Sequence, residues 1–153
     1  MKPVYNVDYD FDNELLLSEL LNQKQISYSD PKHGTADNWK IANEKLDIAK
    51  AEMEHFCNVY SLPLGKPRYY ILKKNSVLLP HIDYNTTCSI NHVLSDDAAP
   101  VSFPGIGDFK YKTAVLNTTI KHGVMNLGKK DRYLFKISFF DISYEEVCEC
   151  LKN

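Results

Sequence analysis

The chain has 153 residues and a mass of 17.6 kDa, with 44% hydrophobic, 25% charged and 12% aromatic residues, a profile that excludes a disordered or fibrous chain. Lys and Arg number 18 against 20 Asp and Glu, a formal charge of −2, which argues against nucleic acid as a partner. No stretch reaches the ~18 consecutive apolar residues of a membrane helix and residues 1–12 lack an apolar signal core, so the expected address is cytoplasmic, with Cys57, Cys88, Cys148 and Cys150 as free thiols.

Along the chain the charge is uneven. Residues 1–60 carry 11 acids and 6 bases, net −5, and residues 61–153 carry 9 acids and 12 bases, net +3, so the second part favours a small anionic ligand. No repeat or Gly/Ser-rich linker interrupts the chain, which reads as one domain: mainly helical support over 1–66, a sheet core over 67–141 and a C-terminal helix over 142–153.

Asp12 precedes Leu15, Leu16, Leu17, Leu20 and Leu21 and reads as the N-cap of a short helix. From Trp39 the series Ala42, Leu46, Ala49, Met53, Phe56, Tyr60 steps by three and four, predicting one long amphipathic helix laid on a sheet. His33 and His55 lack partners at a useful spacing and are expected on the surface. Beyond Pro63, Gly65 and Pro67, runs rich in Val, Ile, Tyr, Phe and Thr predict antiparallel strands over 68–73, 77–82, 87–94, 101–103, 109–112, 114–117, 121–126 and 132–141. Helices first and strands afterwards make an α+β fold around a sandwich or barrel. Asp96, Asp97, Ala98 and Ala99 form a polar connection, and Ser143 with Glu146 forms a capping box for the last helix.

Within the strands, His81 and Asp83 lie two apart, which in extended backbone puts both on one face. With His122 from a later strand they make the two-histidine, one-carboxylate set that holds non-haem Fe(II) and leaves positions open. Arg132, one of two arginines in the chain, follows His122 by ten residues. Reading Gly128-Lys129-Lys130 as a three-residue hairpin loop pairs Asn126 with Arg132 and carries the guanidinium onto the face of His122, roughly 13 Å further along. An elongated dicarboxylate spans that gap, one end on the metal and the other on the guanidinium fork. Cys148-Glu149-Cys150 lacks the further ligands of a zinc site and reads as ordinary thiols.

The stretches Arg68-Tyr69-Tyr70-Ile71, Leu79-Pro80-His81-Ile82-Asp83, Thr87 to Leu94, and His122-Gly123-Val124-Met125-Asn126 with Arg132 resemble the 2-oxoglutarate- and Fe(II)-dependent oxygenase superfamily. Within it they look most like the aspartyl/asparaginyl β-hydroxylase-like branch and its small phage and bacterial relatives. The resemblance implies a double-stranded β-helix, a jelly-roll or cupin-like barrel, with His81, Asp83 and His122 on Fe(II) and Arg132 and Tyr70 on the distal carboxylate of 2-oxoglutarate. His92 falls where the branch has a further co-substrate histidine, but Ile90 stands where it has an arginine, and Asn91 on the opposite strand face is the rival of His92. That branch lacks the carboxylate that Asp83 supplies, and Asp83 favours hydroxylation over halogenation. The implied reaction consumes O2 and 2-oxoglutarate, releases succinate and CO2, and hydroxylates a small molecule or a peptide side chain. Two other readings stay open: a cupin-type metal enzyme whose substrate meets Arg132, and an inert metal-binding module.

Overall fold

The computed structural model describes residues 2–28, 38–96 and 99–152; His33, Asp97 and Ala98, which figure in the sequence analysis, lie outside them. In chain order the elements are β1 (Val4–Asn6), α1 (Asn13–Leu21), β2 (Ile26–Ser27), β3 (Trp39–Ile41), α2 (Asp47–Val59), β4 (Lys66–Leu72), β5 (Ser76–His81), β6 (Cys88–Val93), β7 (Val101–Phe103), β8 (Gly107–Phe109), β9 (Thr113–Leu116), β10 (His122–Asn126), β11 (Arg132–Phe139) and α3 (Tyr144–Leu151). The helix starts follow local chemistry. Asp12 accepts the Leu15 amide at 3.2 Å, and Ser143 and Glu146 close a reciprocal box at α3. Helix α2 has no cap of its own; the Glu19 carboxylate, reaching from α1, accepts the Ile48 and Ala49 amides at 2.8 and 3.0 Å, which also suits the positive end of the helix.

Two antiparallel sheets face one another, a large one in the order β1-β9-β6-β11-β4-β3-β2 and a small one in the order β5-β10-β7-β8. Period-2 alternation sorts the large sheet. Tyr69 and Ile71 of β4, Cys88 and Ile90 of β6, and Phe135, Ile137 and Phe139 of β11 pack with Leu16, Leu20, Met53 and Phe56 of the helices in the main core. The alternate residues of the same strands turn to the small sheet. Between the sheets lies a cavity of about 320 Å³.

Two expectations change. Residues 1–66 supply not only helices but three strands of the large sheet, and Trp39, expected in the long helix, is in β3; only Ala49, Met53, Phe56 and their neighbours form α2. A 3.6-residue spacing that runs through Ala42 and Leu46 cannot distinguish a helix from a short strand followed by one, and edge pairing of β3 with β4 decides it. The second correction concerns the loop at 127–131. Strand β10 pairs with β5 and β7 in the small sheet, whereas β11 pairs with β4 and β6 in the large one, so the segment crosses between sheets and Asn126 does not pair with Arg132. The Asn126 amide instead donates to the carbonyls of Leu72, Lys73 and Lys130 at 3.1–3.2 Å and pins the crossover.

Candidate metal and co-substrate site

His81 ends β5 and His122 begins β10, and the two are direct partners in the ladder between those strands, with ring centroids 4.8 Å apart. Gly123, next in line, sits at a register shift and lies so close to β5 that an added Cβ would stand 2.6 Å from the Leu78 carbonyl oxygen. Asp83 follows β5 by two residues, its amide donating to the Thr118 carbonyl at 3.1 Å. These supports bring three side chains together. The Nε2 atoms of His81 and His122 each lie 3.3 Å from Asp83 Oδ1, and the ligating atoms of all three residues lie within 4.8 Å of one another.

Each histidine is oriented from behind. His81 Nδ1 donates to the Leu79 carbonyl at 2.6 Å and His122 Nδ1 to the Ile120 carbonyl at 2.7 Å. In the metal-free site Nε2 of each ring donates to Asp83; with Nδ1 anchored on its carbonyl, Nε2 is the nitrogen that would give up its proton and turn its lone pair to a metal, as ligating histidines require. The donor set is therefore that of a facial triad and fits a divalent iron with open positions.

The other oxygen of Asp83 meets a residue that the sequence analysis did not single out. Lys136 Nζ donates to Asp83 Oδ2 at 2.6 Å and lies 5.4 Å from the Tyr70 ring centroid. Burial disfavours the Asp83 carboxylate, but the charge of Lys136 and the hydrogen bonds from His122 and His81 outweigh it and hold the carboxyl well below the usual range. Burial likewise works against the Lys136 ammonium, and the Asp83 carboxylate more than offsets it, so the pKa of Lys136 is raised. The signal for Lys136 was present: on a strand that begins at Arg132, residues 132, 134, 136 and 138 share a face.

Arg132 is 4% exposed and turns into the same cavity. Its Nη2 donates to Tyr111 Oη at 3.1 Å, and its Nε is buried without a partner among the described residues. A buried guanidinium with an unused donor is a costly arrangement and fits the missing half of a fork–carboxylate pair. Tyr111, from the connection before β9, has no distinguishing sequence context; its hydroxyl also accepts from Asn91 Nδ2 at 3.1 Å. Tyr70 lines the cavity with its ring stacked on Trp39, centroids 5.0 Å apart.

The strand face separates the two rivals on β6. Asn91 lines the cavity, while His92 turns to the helices, its ring 5.2 Å from Phe11. His92 Nε2 donates to Asn13 Oδ1 at 3.0 Å and Nδ1 accepts from Thr113 Oγ1 at 2.7 Å, and burial, helped by Lys112, pulls its pKa down to about 4. The structure thus brings together His81, Asp83, His122, Arg132, Tyr70 and Asn91, and leaves His92 on the far side of the sheet.

No protein-family model matches the chain, and no curated protein matches it in sequence. Solved structures do match it. HygX from Streptomyces hygroscopicus, with nickel, 2-oxoglutarate and hygromycin B bound, superposes with a TM-score of 0.57 at 14% identity over 92% of this chain and 84% of that one. The fold is that of the 2-oxoglutarate- and Fe(II)-dependent oxygenases. A 2OG-Fe(II) oxygenase family oxidoreductase from Burkholderia pseudomallei gives a TM-score of 0.55 at 12% identity over 82% and 76% of the two chains. The viral collagen prolyl hydroxylase of Paramecium Bursaria Chlorella virus-1, in its 2-oxoglutarate complex, gives 0.53 at 11% identity over 90% and 94%. The jelly-roll core built of two facing antiparallel sheets is thus a double-stranded β-helix within an α+β chain.

Proposed function

We propose that the protein is a small Fe(II)- and 2-oxoglutarate-dependent dioxygenase that hydroxylates a small molecule or a peptide side chain. The observation that carries this reading is the convergence of His81 and His122 Nε2 on Asp83 Oδ1 in the cavity that also holds the buried, half-satisfied Arg132. His81, Asp83 and His122 would hold the metal, and Arg132, oriented by Tyr111, the distal carboxylate of 2-oxoglutarate. Iron bound there supplies the O2 chemistry that couples loss of CO2 and formation of succinate to hydroxylation.

The chain's own residues do the rest. The Leu79 and Ile120 carbonyls keep the two imidazoles in the ligating tautomer. Lys136 occupies Asp83 Oδ2 and leaves Oδ1 to face the histidines. Tyr70 and Leu134, between the levels of Arg132 and Lys136, wall the path of an extended dicarboxylate. Kinship with the aspartyl/asparaginyl β-hydroxylase-like branch rests on the sequence around Tyr70, His81 and His122; the direction of His92 and the presence of Asp83 set this chain apart from it. The four cysteines are free, and three are buried, which suits a reducing cytoplasm. No described helix is long and apolar enough to cross a membrane.

Anaerobic titration of 2-oxoglutarate into the Fe(II)-loaded protein tests the reading. A visible metal-to-ligand charge-transfer band is expected, and its loss in His122→Ala. Iron binding with no band would refute it in favour of a cupin-type enzyme or an inert metal-binding module.

A further inference from the structure

The cavity has a closed end and an open one. Along β4 exposure falls from Lys66 through Arg68 and Tyr70 to the fully buried Leu72, and along β11 it falls from Phe140, just past the strand, to Arg132. The strand register aligns the two series: Leu72 is opposite Arg132, Tyr70 opposite Leu134, Arg68 opposite Lys136 and Lys66 opposite Ser138. Lys136 is bonded to Asp83, so Arg68 stands at the level of the metal ligands, and Arg132 lies four residues deeper, roughly 13 Å along the strand.

Two cations directly opposite on neighbouring strands repel unless something offsets them. Asp83 offsets Lys136. The Arg68 side chain, by contrast, has no hydrogen bond or ion pair with any described residue, although it is half-buried and lines the cavity. Among the described residues the lining carries Lys66, Arg68, Arg132 and Lys136 against one carboxylate, Asp83. A divalent metal and a dicarboxylate co-substrate would cancel each other's charge and leave that excess unchanged. The positive charge at the open end therefore remains to be met by something else.

Resting on the oxygenase reading above, we propose that the primary substrate carries a carboxylate held by Arg68, with Lys66 adding charge at the mouth. The planar guanidinium matches a carboxylate with two parallel hydrogen bonds. Exposed apolar side chains also line the cavity: Ile82, Tyr84 and Phe140 are 53%, 76% and 43% exposed, so the substrate has an apolar body beside its acid group. Seated on Arg68, the carboxylate fixes the rest of the molecule at the level of His81, Asp83 and His122, on the side away from Arg132.

The chain's single tryptophan, Trp39, lines the same cavity and stacks on Tyr70, one position deeper than Arg68 on the cavity face of β4. Its emission reports on the site. We would titrate phenylacetate and its neutral counterpart phenylacetamide into the full chain loaded with Mn(II) and 2-oxoglutarate. Saturable binding of the acid is expected, at least tenfold tighter than the amide. Arg68→Gln should abolish that preference and Arg68→Lys should keep part of it, while the charge-transfer titration of 2-oxoglutarate on the Fe(II) protein stays unchanged in both, which also reports an intact fold. Equal binding of acid and amide, no binding of either, or an unaltered preference in Arg68→Gln would overturn the proposal. So would a fall in 2-oxoglutarate affinity in Arg68→Gln, which would assign Arg68 to the co-substrate. Absence of the charge-transfer band in the unmodified protein would instead sink the oxygenase reading, and the acid–amide comparison repeated on the metal-free chain would still report on Arg68.

Discussion

Replacing Lys136 by Met separates the metal-free from the metal-bound protein. Lys136 and Asp83 are 14% and 12% exposed and meet at 2.6 Å. Removing one partner of a buried pair strands the other charge, at a cost of about 3 kcal/mol for this slightly open site. In a chain of this length that corresponds to a drop in Tm of roughly 9 °C. A divalent ion on Asp83 supplies the missing positive charge, so the metal-loaded variant should lose only about 1 kcal/mol. The difference of about 2 kcal/mol must appear as tighter metal binding in the variant, roughly 30-fold, because folding and binding share one thermodynamic cycle. The sign also follows from simple repulsion between an ammonium and a dication. Urea unfolding with and without Mn(II), together with direct Mn(II) titration, reads both quantities. Equal destabilisation in the two states, or weaker metal binding by the variant, would refute the reasoning and show that the orienting effect of Lys136 on Asp83 outweighs its charge.

Arg132→Lys should raise the 2-oxoglutarate concentration needed for half-saturation by about tenfold or more, since an ammonium cannot reproduce the fork; an unchanged requirement in the charge-transfer titration would move the dicarboxylate elsewhere. Gly123→Ala forces a methyl group to 2.6 Å from the Leu78 carbonyl oxygen and 3.0 Å from Pro80 N, so β10 must shift off β5, at a cost of about 2 kcal/mol or more; thermal melts and metal affinity should fall together. His92 has a pKa of about 4 in the folded protein, below its ordinary 6.5. Between those values the unfolded chain binds the extra proton, so stability present above about pH 6.5 is lost as the pH falls toward 4, up to about 3 kcal/mol. Urea midpoints across that range should vary less in His92→Gln; an equally steep profile would refute the assignment.

Much of the architecture was legible in local pattern. Asp12 and the Ser143–Glu146 pair mark helix starts because capping is short-range chemistry, and the strands of the second half follow from apolar residues bounded by turn residues. His81 and Asp83 share a face by backbone periodicity alone. Other features resisted for identifiable reasons. Trp39 fits a helical stripe that the chain does not use, because edge pairing with β4 outweighs spacing. Tyr111 has no pattern around it, and its meeting with Arg132 spans a connection and two strands.

The sequence by itself determined the alternation that turns Arg132, Leu134, Lys136 and Ser138 to one side of β11 and Phe135, Ile137 and Phe139 to the other, and with it the α+β composition of the chain. Only the tertiary structure decided which side is the cavity, that β10 and β11 belong to opposite sheets, that Asn91 faces in while His92 faces the helices, and that Lys136 closes on Asp83. The first set depends on backbone geometry within a few residues. The second depends on which faces are buried against one another, and that is settled by packing between segments far apart in the chain, as for Lys136 and Asp83 at a separation of 53.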